Sequence, residues 1–342
     1  MMNRVYKITF ISIIIVYLVI LAGGIVRMTG SGMGCPDWPK CFGFLIPPTE
    51  RSQLEWKPKS EYNKNQIIII DKNLYYSVKS FNSKEDFNKS NWNKYTKHDY
   101  SKFNVYHTWI EYINRLIGAL AGLSVLMLFL YSMKFFKSKK IITFLSFLSL
   151  IAILFQAWLG KTVVDSNLTA STITIHMLMA IVLLFILFLI LAISKPVKPI
   201  RIPRNISILI LISMVLLIIQ VLTGTEVRKF IDLQMEIYNY NEKNKWIENI
   251  TSIFNFHRSF SWAIIIINSL IYLKIKEIDL KSNLIYIINS LICLQIISGI
   301  IMYYFHFPLT SQPIHLLIST LIIGLQFYFL ILYNLKTNAP KI

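Results

Sequence analysis

Charge is scarce in this chain: only 15% of its 342 residues are charged. Acidic residues are the scarcer sign, 17 against 35 lysines and arginines. With 55% hydrophobic residues and a mean hydropathy of +0.54, a soluble domain could not bury its own apolar surface. The long apolar runs also lack alternation, which argues against membrane-spanning strands. At the N-terminus there is neither a cleavage-site pattern nor an Arg/Ser-rich amphipathic leader, so the first run is expected to be an uncleaved anchor. Cysteines number three, and no cysteine or carboxylate lies beside the histidines of the apolar runs, which disfavours a zinc cluster.

What remains is an all-α integral membrane protein. Eight stretches, about 8–27, 109–132, 141–160, 172–194, 205–226, 253–273, 284–304 and 313–334, each approach the ~20 residues a bilayer core requires. The net charge of +18 maps onto alternate loops. Arg4, Lys7, Lys134, Lys137, Lys139, Lys140, Lys195, Lys198, Arg201, Arg204, Lys274, Lys276, Lys281, Lys336 and Lys341 fall on one side. Lys161, Arg228, Lys229, Lys243 and Lys245 fall on the other. The charge asymmetry places both termini in the cytoplasm and leaves no case for nucleic-acid binding. A bacterial plasma (inner) membrane is the expected location.

The chain divides near residue 200, and its halves, 1–200 and 201–342, share landmarks in order. Gly23-Gly24-Ile25-Val26-Arg27 matches Gly224-Thr225-Glu226-Val227-Arg228. Glu111-Tyr112-Ile113-Asn114-Arg115 matches Phe254-Asn255-Phe256-His257-Arg258. Gln156-x3-Gly160 matches Gln295-x3-Gly299, and each glutamine is followed twenty residues later by a histidine, His176 or His315. Such matching predicts two pseudo-symmetric four-helix bundles in the same orientation.

A long first external loop, 28–107, opens with a glycine-rich turn and becomes polar after Pro47-Pro48. Gln66 and the four isoleucines after it, with Leu74-Tyr75-Tyr76, read as a small hairpin. The segment looks too short and polar for a substantial core of its own, and reads as a lid or docking segment. Cys35 and Cys41 flank Pro36–Lys40 in a disulfide-permitting compartment; a disulfide, two free thiols and a metal pair are the readings. Cys293, in the middle of the seventh run, is expected to be a buried small hydrophobe.

Histidines inside a bilayer are expensive and suggest function. Asn114, His176, His257 and His315 fall at one level in the second, fourth, sixth and eighth runs. His257 and His315 would pair across one bundle, as axial ligands of a haem do; the plain alternative is hydrogen-bonded packing. Arg27, Arg115, Arg228 and Arg258 lie near that level, where guanidinium forks could hold haem propionates or snorkel to lipid headgroups. Glu111, one turn from Asn114, has no counterpart in the second half, where Phe254 stands. An acid beside one tetrapyrrole suggests chemistry on the macrocycle or its substituent.

Val26-Arg27-Met28-Thr29-Gly30-Ser31-Gly32-Met33-Gly34-Cys35-Pro36-Asp37-Trp38-Pro39 closely resembles the segment after the first helix in haem A synthases. The IEYINR, Gln156-to-His176 and Gln295-to-His315 patterns extend the resemblance over all eight runs, leaving out only about 50–105. It implies oxidation of the haem O methyl to the haem A formyl for cytochrome oxidase assembly. It further implies a cofactor haem b on His257 and His315, a substrate site in the N-terminal half with Glu111 beside it, and a cysteine pair at 35 and 41. Haem O synthase and an electron donor are the implied partners, with the lipid bilayer; a homo-oligomer stays open. The family usually has histidine where Asn114 stands. Either the substrate iron is five-coordinate through His176, or His107, about 10 Å higher along the helix, replaces the missing ligand. A dihaem electron-transfer protein without enzymatic activity is the competing reading; it explains the histidines but not Glu111.

Overall fold

The computed structural model describes residues 2–71, 73–97, 103–194, 202–239, 241–247, 252–308 and 310–334. His98, Lys195, Lys198, Arg201, Lys336, Lys341 and the dividing point near residue 200 lie outside them. Among the described residues eight helices are each long and apolar enough to cross a membrane. They are α1 (Met2–Met28), α2 (Val105–Ser132), α3 (Lys140–Asp165), α4 (Ala170–Ser194), α5 (Arg204–Ile237), α6 (Ser252–Glu277), α7 (Asn283–Tyr304) and α8 (Ser311–Asn334). Local sequence explains several starts. The Asn104 side chain accepts from the Tyr106 and His107 amides at the head of α2. Pro203 precedes α5, and Pro313 sits in the first turn of α8, where a missing N–H costs nothing.

Helices α1 to α4 pack in sequence with α1 closing on α4, and α5 to α8 repeat the arrangement with α5 closing on α8. Each ring encloses its own apolar core. The rings meet where α8 packs on α1 and α4. Phe185 and Phe327 stack there at 4.3 Å, and the Tyr17 hydroxyl donates to the Thr320 carbonyl at 3.2 Å. The second ring also buries a polar knot. Asn268 Nδ2 donates to Ser213 Oγ (3.0 Å), and Gln326 Nε2 donates to Ser213 Oγ (2.9 Å) and Asn268 Oδ1 (2.7 Å). Between membrane helices such bonds hold packing together, because lipid offers no substitute partner. Asn268→Leu should therefore cost about 1 kcal/mol, seen as a lower thermal midpoint in detergent.

The first loop carries five short strands: β1 (Glu61–Tyr62), β2 (Ile67–Ile70), β3 (Asn73–Ser77), β4 (Phe81–Asn82) and β5 (Trp92–Lys94). β2 and β3 form the expected hairpin, with β5 added beside β3, while β1 pairs with β4. The loop has more core than its composition suggests. Alternation along β2 sends Ile67 and Ile69 to a cluster with Cys35, Cys41, Phe42, Leu54 and Leu74; Ile68 and Ile70 go to one with Tyr62 and Trp92. Apolar residues scattered through a polar stretch are thereby gathered on both faces of one sheet. Burial raises the Tyr62 phenol above its ordinary value. Cys35 and Cys41 are bonded to each other. Cys293 corrects an expectation: it lies on the exposed face of α7. A helix surrounded by lipid is apolar on both faces, so apolarity alone did not reveal which way residue 293 points.

Candidate functional site

The same contact recurs in all four helix pairs, at the end of the bundle that bears the first loop. In each pair the odd-numbered helix offers a glycine, and the side chain expected to be functional lies over it. A Cβ built on Gly160 would stand 3.5 Å from His176 Cε1. On Gly224 it would stand 3.1 Å from His257 Cε1, on Gly299 3.5 Å from His315 Cε1, and on Gly23 3.9 Å from Asn114 Oδ1. Asn114 thus occupies the fourth equivalent place.

The pairs differ in what surrounds that contact. Four residues before the glycine stand Gln156, Gln220 and Gln295, but Val19 in α1. Gln156 Nε2 donates to the His176 carbonyl at 2.9 Å, and Gln220 Nε2 to the His257 carbonyl at 2.8 Å. These bonds tie the histidine-bearing helix to its neighbour at the candidate residue itself. Immediately before the glycine stand Thr223 and Ser298 in the second half, against Ala22 and Leu159 in the first. Thr223 Oγ1 lies 3.1 Å from His257 Nδ1, and Ser298 Oγ lies 2.7 Å from His315 Nδ1. Each hydroxyl already donates its proton to the glutamine carbonyl of its own helix, at 3.0 and 2.8 Å. Its oxygen can then only accept from the ring, which makes Nδ1 the protonated nitrogen and leaves Nε2 with the lone pair. Among the described residues the buried His176 Nδ1 finds no hydrogen-bond partner.

His257 and His315 line one cavity of about 500 Å³ in the second ring, within the range of small-molecule sites. Its walls are mostly apolar and include Ile264, Ile292, Phe254 and Tyr303, with Gln220, Gln295 and Gln312 among the polar lining. The Gln220, Gln295 and Gln312 amide oxygens are buried without partners. Arg27, Arg228 and Arg258 reach the same cavity. Arg27 grips Asp232 through Nε (3.0 Å) and Nη2 (2.6 Å), while Arg228 Nη2 holds its other oxygen at 2.5 Å. Two guanidiniums thus share one carboxylate at the cavity wall. Arg258 is exposed and lies over the Phe254 ring, 5.8 Å from its centroid. Among the described residues no group of three or more His, Cys, Asp or Glu side chains is placed to hold a metal ion.

Glu111 and Arg115 take positions the sequence did not suggest. Glu111 is 4% exposed. One carboxylate oxygen accepts from Arg115 Nη2 at 2.5 Å and the other from the Cys35 amide at 2.9 Å. Arg115 also donates to the carbonyls of Asp37 (2.7 Å), Lys40 (2.9 Å) and Cys35 (3.4 Å). The donors of Arg115 are turned to the loop, where carbonyls of the Cys35–Cys41 turn converge on it. Asp37 is anchored by the Gly43 amide at 2.8 Å. Burial raises its carboxyl above the usual range, with the backbone amides and Arg115 pulling the other way. Thr108 donates to the Gly34 carbonyl at 2.8 Å, and a Cβ on Gly34 would collide with the His107 backbone. Gly34→Ala should therefore push the loop off α2, read as faster proteolysis within residues 30–45 than in the parent chain. His107 itself is half-buried, its peptide packed beneath the loop.

Gln220, Thr223, Ser298 and Asp232 were missed from sequence. The spacing Gln220-x3-Gly224, identical to the other two, was the available signal for the first.

A family model described as "Cytochrome oxidase assembly protein" matches residues 6–327. A heme A synthase of Wolbachia pipientis wMel is 25% identical, covering 97% of this chain and 93% of its own length. Another, from the Wolbachia of Culex pipiens (strain wPip), is 26% identical over 94% of this chain and 95% of its own. That of Rickettsia prowazekii (strain Madrid E) is 23% identical over 97% and 98%.

Proposed function

The chain belongs to the cytochrome oxidase assembly protein family, and on that footing we propose that it is a haem A synthase, converting the methyl substituent of haem O to the formyl of haem A. The observation that carries the reading is the inequality of its two halves. The second half offers two histidines with assigned tautomers facing one apolar cavity. The first offers one histidine, an asparagine, and a buried acid that anchors the first loop.

The donor set of the second half fits a haem. Both Nε2 atoms keep a lone pair for iron, apolar walls suit a macrocycle, and the Arg27–Asp232–Arg228 cluster suits the acidic edge. A haem b there would supply one-electron transfer when bound. His257 and His315 orient it; Thr223 and Ser298 keep both rings in the required tautomer. In the first half His176 would hold the substrate iron, and Asn114, a poor iron ligand, stands where the second half has its other histidine. Glu111 and Arg115 act on the substrate indirectly, by fixing the Cys35–Cys41 turn above it. Conversion of methyl to formyl is a multi-electron oxidation that adds one oxygen atom, so an external electron acceptor takes part. The loop lies on the extracytoplasmic side of a bacterial plasma membrane and both termini in the cytoplasm, in keeping with a disulfide in the loop.

Expression in cells that accumulate haem O and make no haem A, followed by haem extraction and chromatography, tests the proposal. Haem A or its hydroxylated precursor is expected. Extracts holding only unmodified haem O, from membranes that contain the folded protein, would overturn it.

A further inference from the structure

We infer that Leu159 makes His176 a releasable ligand, distinguishing a site that must turn over from one that must retain its haem. The inference rests on the reading that His176 holds the substrate iron. Its basis is positional. Thr223, Ser298 and Leu159 occupy one equivalent place, directly before the glycine that faces the ring. Two of the three present an oxygen to Nδ1, at 3.1 and 2.7 Å. The third has leucine in that place, and among the described residues its histidine alone of the three has a buried, unpartnered Nδ1.

The chemistry follows from what an Nδ1 hydrogen bond does. It fixes the tautomer, holds the ring in plane and makes Nε2 more basic, strengthening the bond to iron; loss of such a partner typically costs 10–100-fold in metal affinity. A cofactor site gains from that strength. A substrate site loses by it, because product leaves only when its axial bond breaks. His176 keeps the helix tie from Gln156, so its ring stays at the right level, yet it lacks the support that would tighten its grip. The fourth pair goes further: with Val19, Ala22 and Asn114 it has lost ligand, backbone tie and hydroxyl together.

Leu159→Ser restores the hydroxyl, and Leu159→Ala opens similar space without it. Full-length protein in detergent, loaded with haem O, is mixed with excess apomyoglobin and the transfer rate is followed by absorbance. Leu159→Ser should slow transfer from the first half about 10-fold or more and lower the midpoint potential of that haem, while Leu159→Ala should not slow it. Should Leu159→Ser fail to fold, Ser298→Ala carries the converse test: haem in the second half should leave about 10-fold faster. Equal rates for Leu159→Ser and the parent, with His176→Ala abolishing haem O binding, would overturn the inference and leave the ligand assignment standing. Retention of haem O by His176→Ala would overturn both.

Discussion

His315→Ala is expected to abolish the low-spin haem spectrum of the purified protein, and His257→Ala to do the same. Each ring is built into its place by two independent constraints. A glycine lies beneath it, and a hydroxyl fixes its protonated nitrogen. Among the described residues no other imidazole lines the cavity, so the paired-imidazole spectrum cannot be rebuilt from its wall. The loss should exceed the ~100-fold that removal of a ring's hydrogen-bond partner can cost, because here the iron bond itself disappears. Haem content per protein and the reduced-minus-oxidised spectrum measure it directly. Spectra unchanged in both variants would sink the assignment of the second half.

Glu111→Gln should give the opposite pattern: haem in the second half intact, product lost. The carboxylate is placed between two donors, the Arg115 guanidinium and the Cys35 amide. A carboxamide has one acceptor and one NH₂ group, so either orientation sets a donor against a donor. Breaking a buried charge pair from one side costs about 3–5 kcal/mol. The lower end is expected, because Arg115 keeps the carbonyls of Asp37 and Lys40. A penalty near 3 kcal/mol is enough to free the loop from α2 in most molecules, and haem A yield should fall about 100-fold. Chromatography of extracted haem and the visible spectrum of the same sample separate the two effects. A plain electron carrier would keep its function in this variant.

The eight helices were legible because continuous apolar runs of bilayer length have few other uses. Their levels and the equivalence of Asn114, His176, His257 and His315 were legible from spacing alone. The extension of α5 to Ile237 was not. Beyond Glu226 the sequence turns charged, which reads as departure from the membrane, yet Ile231 and Met235 pack on Trp246 and keep the helix going. Asp232 rides on that extension and was missed with it. Glu111 was singled out as the feature that makes the halves unequal, but one of its two partners lies 76 residues away in the Cys35 amide. A backbone donor leaves no trace in residue identity. The hydroxyls of Thr223 and Ser298 were hidden for a related reason: in a membrane helix such residues usually bond their own backbone, and these do that and serve the neighbouring ring as well.

The shared grip of Arg27 and Arg228 on Asp232 sets a timetable for biogenesis. Arg27 emerges from the ribosome 205 residues before its carboxylate. The first ring can begin to close long before then, since α1 to α4 supply most of its core and α8 adds Tyr328 later. The cavity cannot, for its wall draws on Gly24 and Arg27 at one end of the chain and His315 at the other. That cavity therefore exists only once α8 has been made. A nascent chain arrested before α8 should carry no cofactor there.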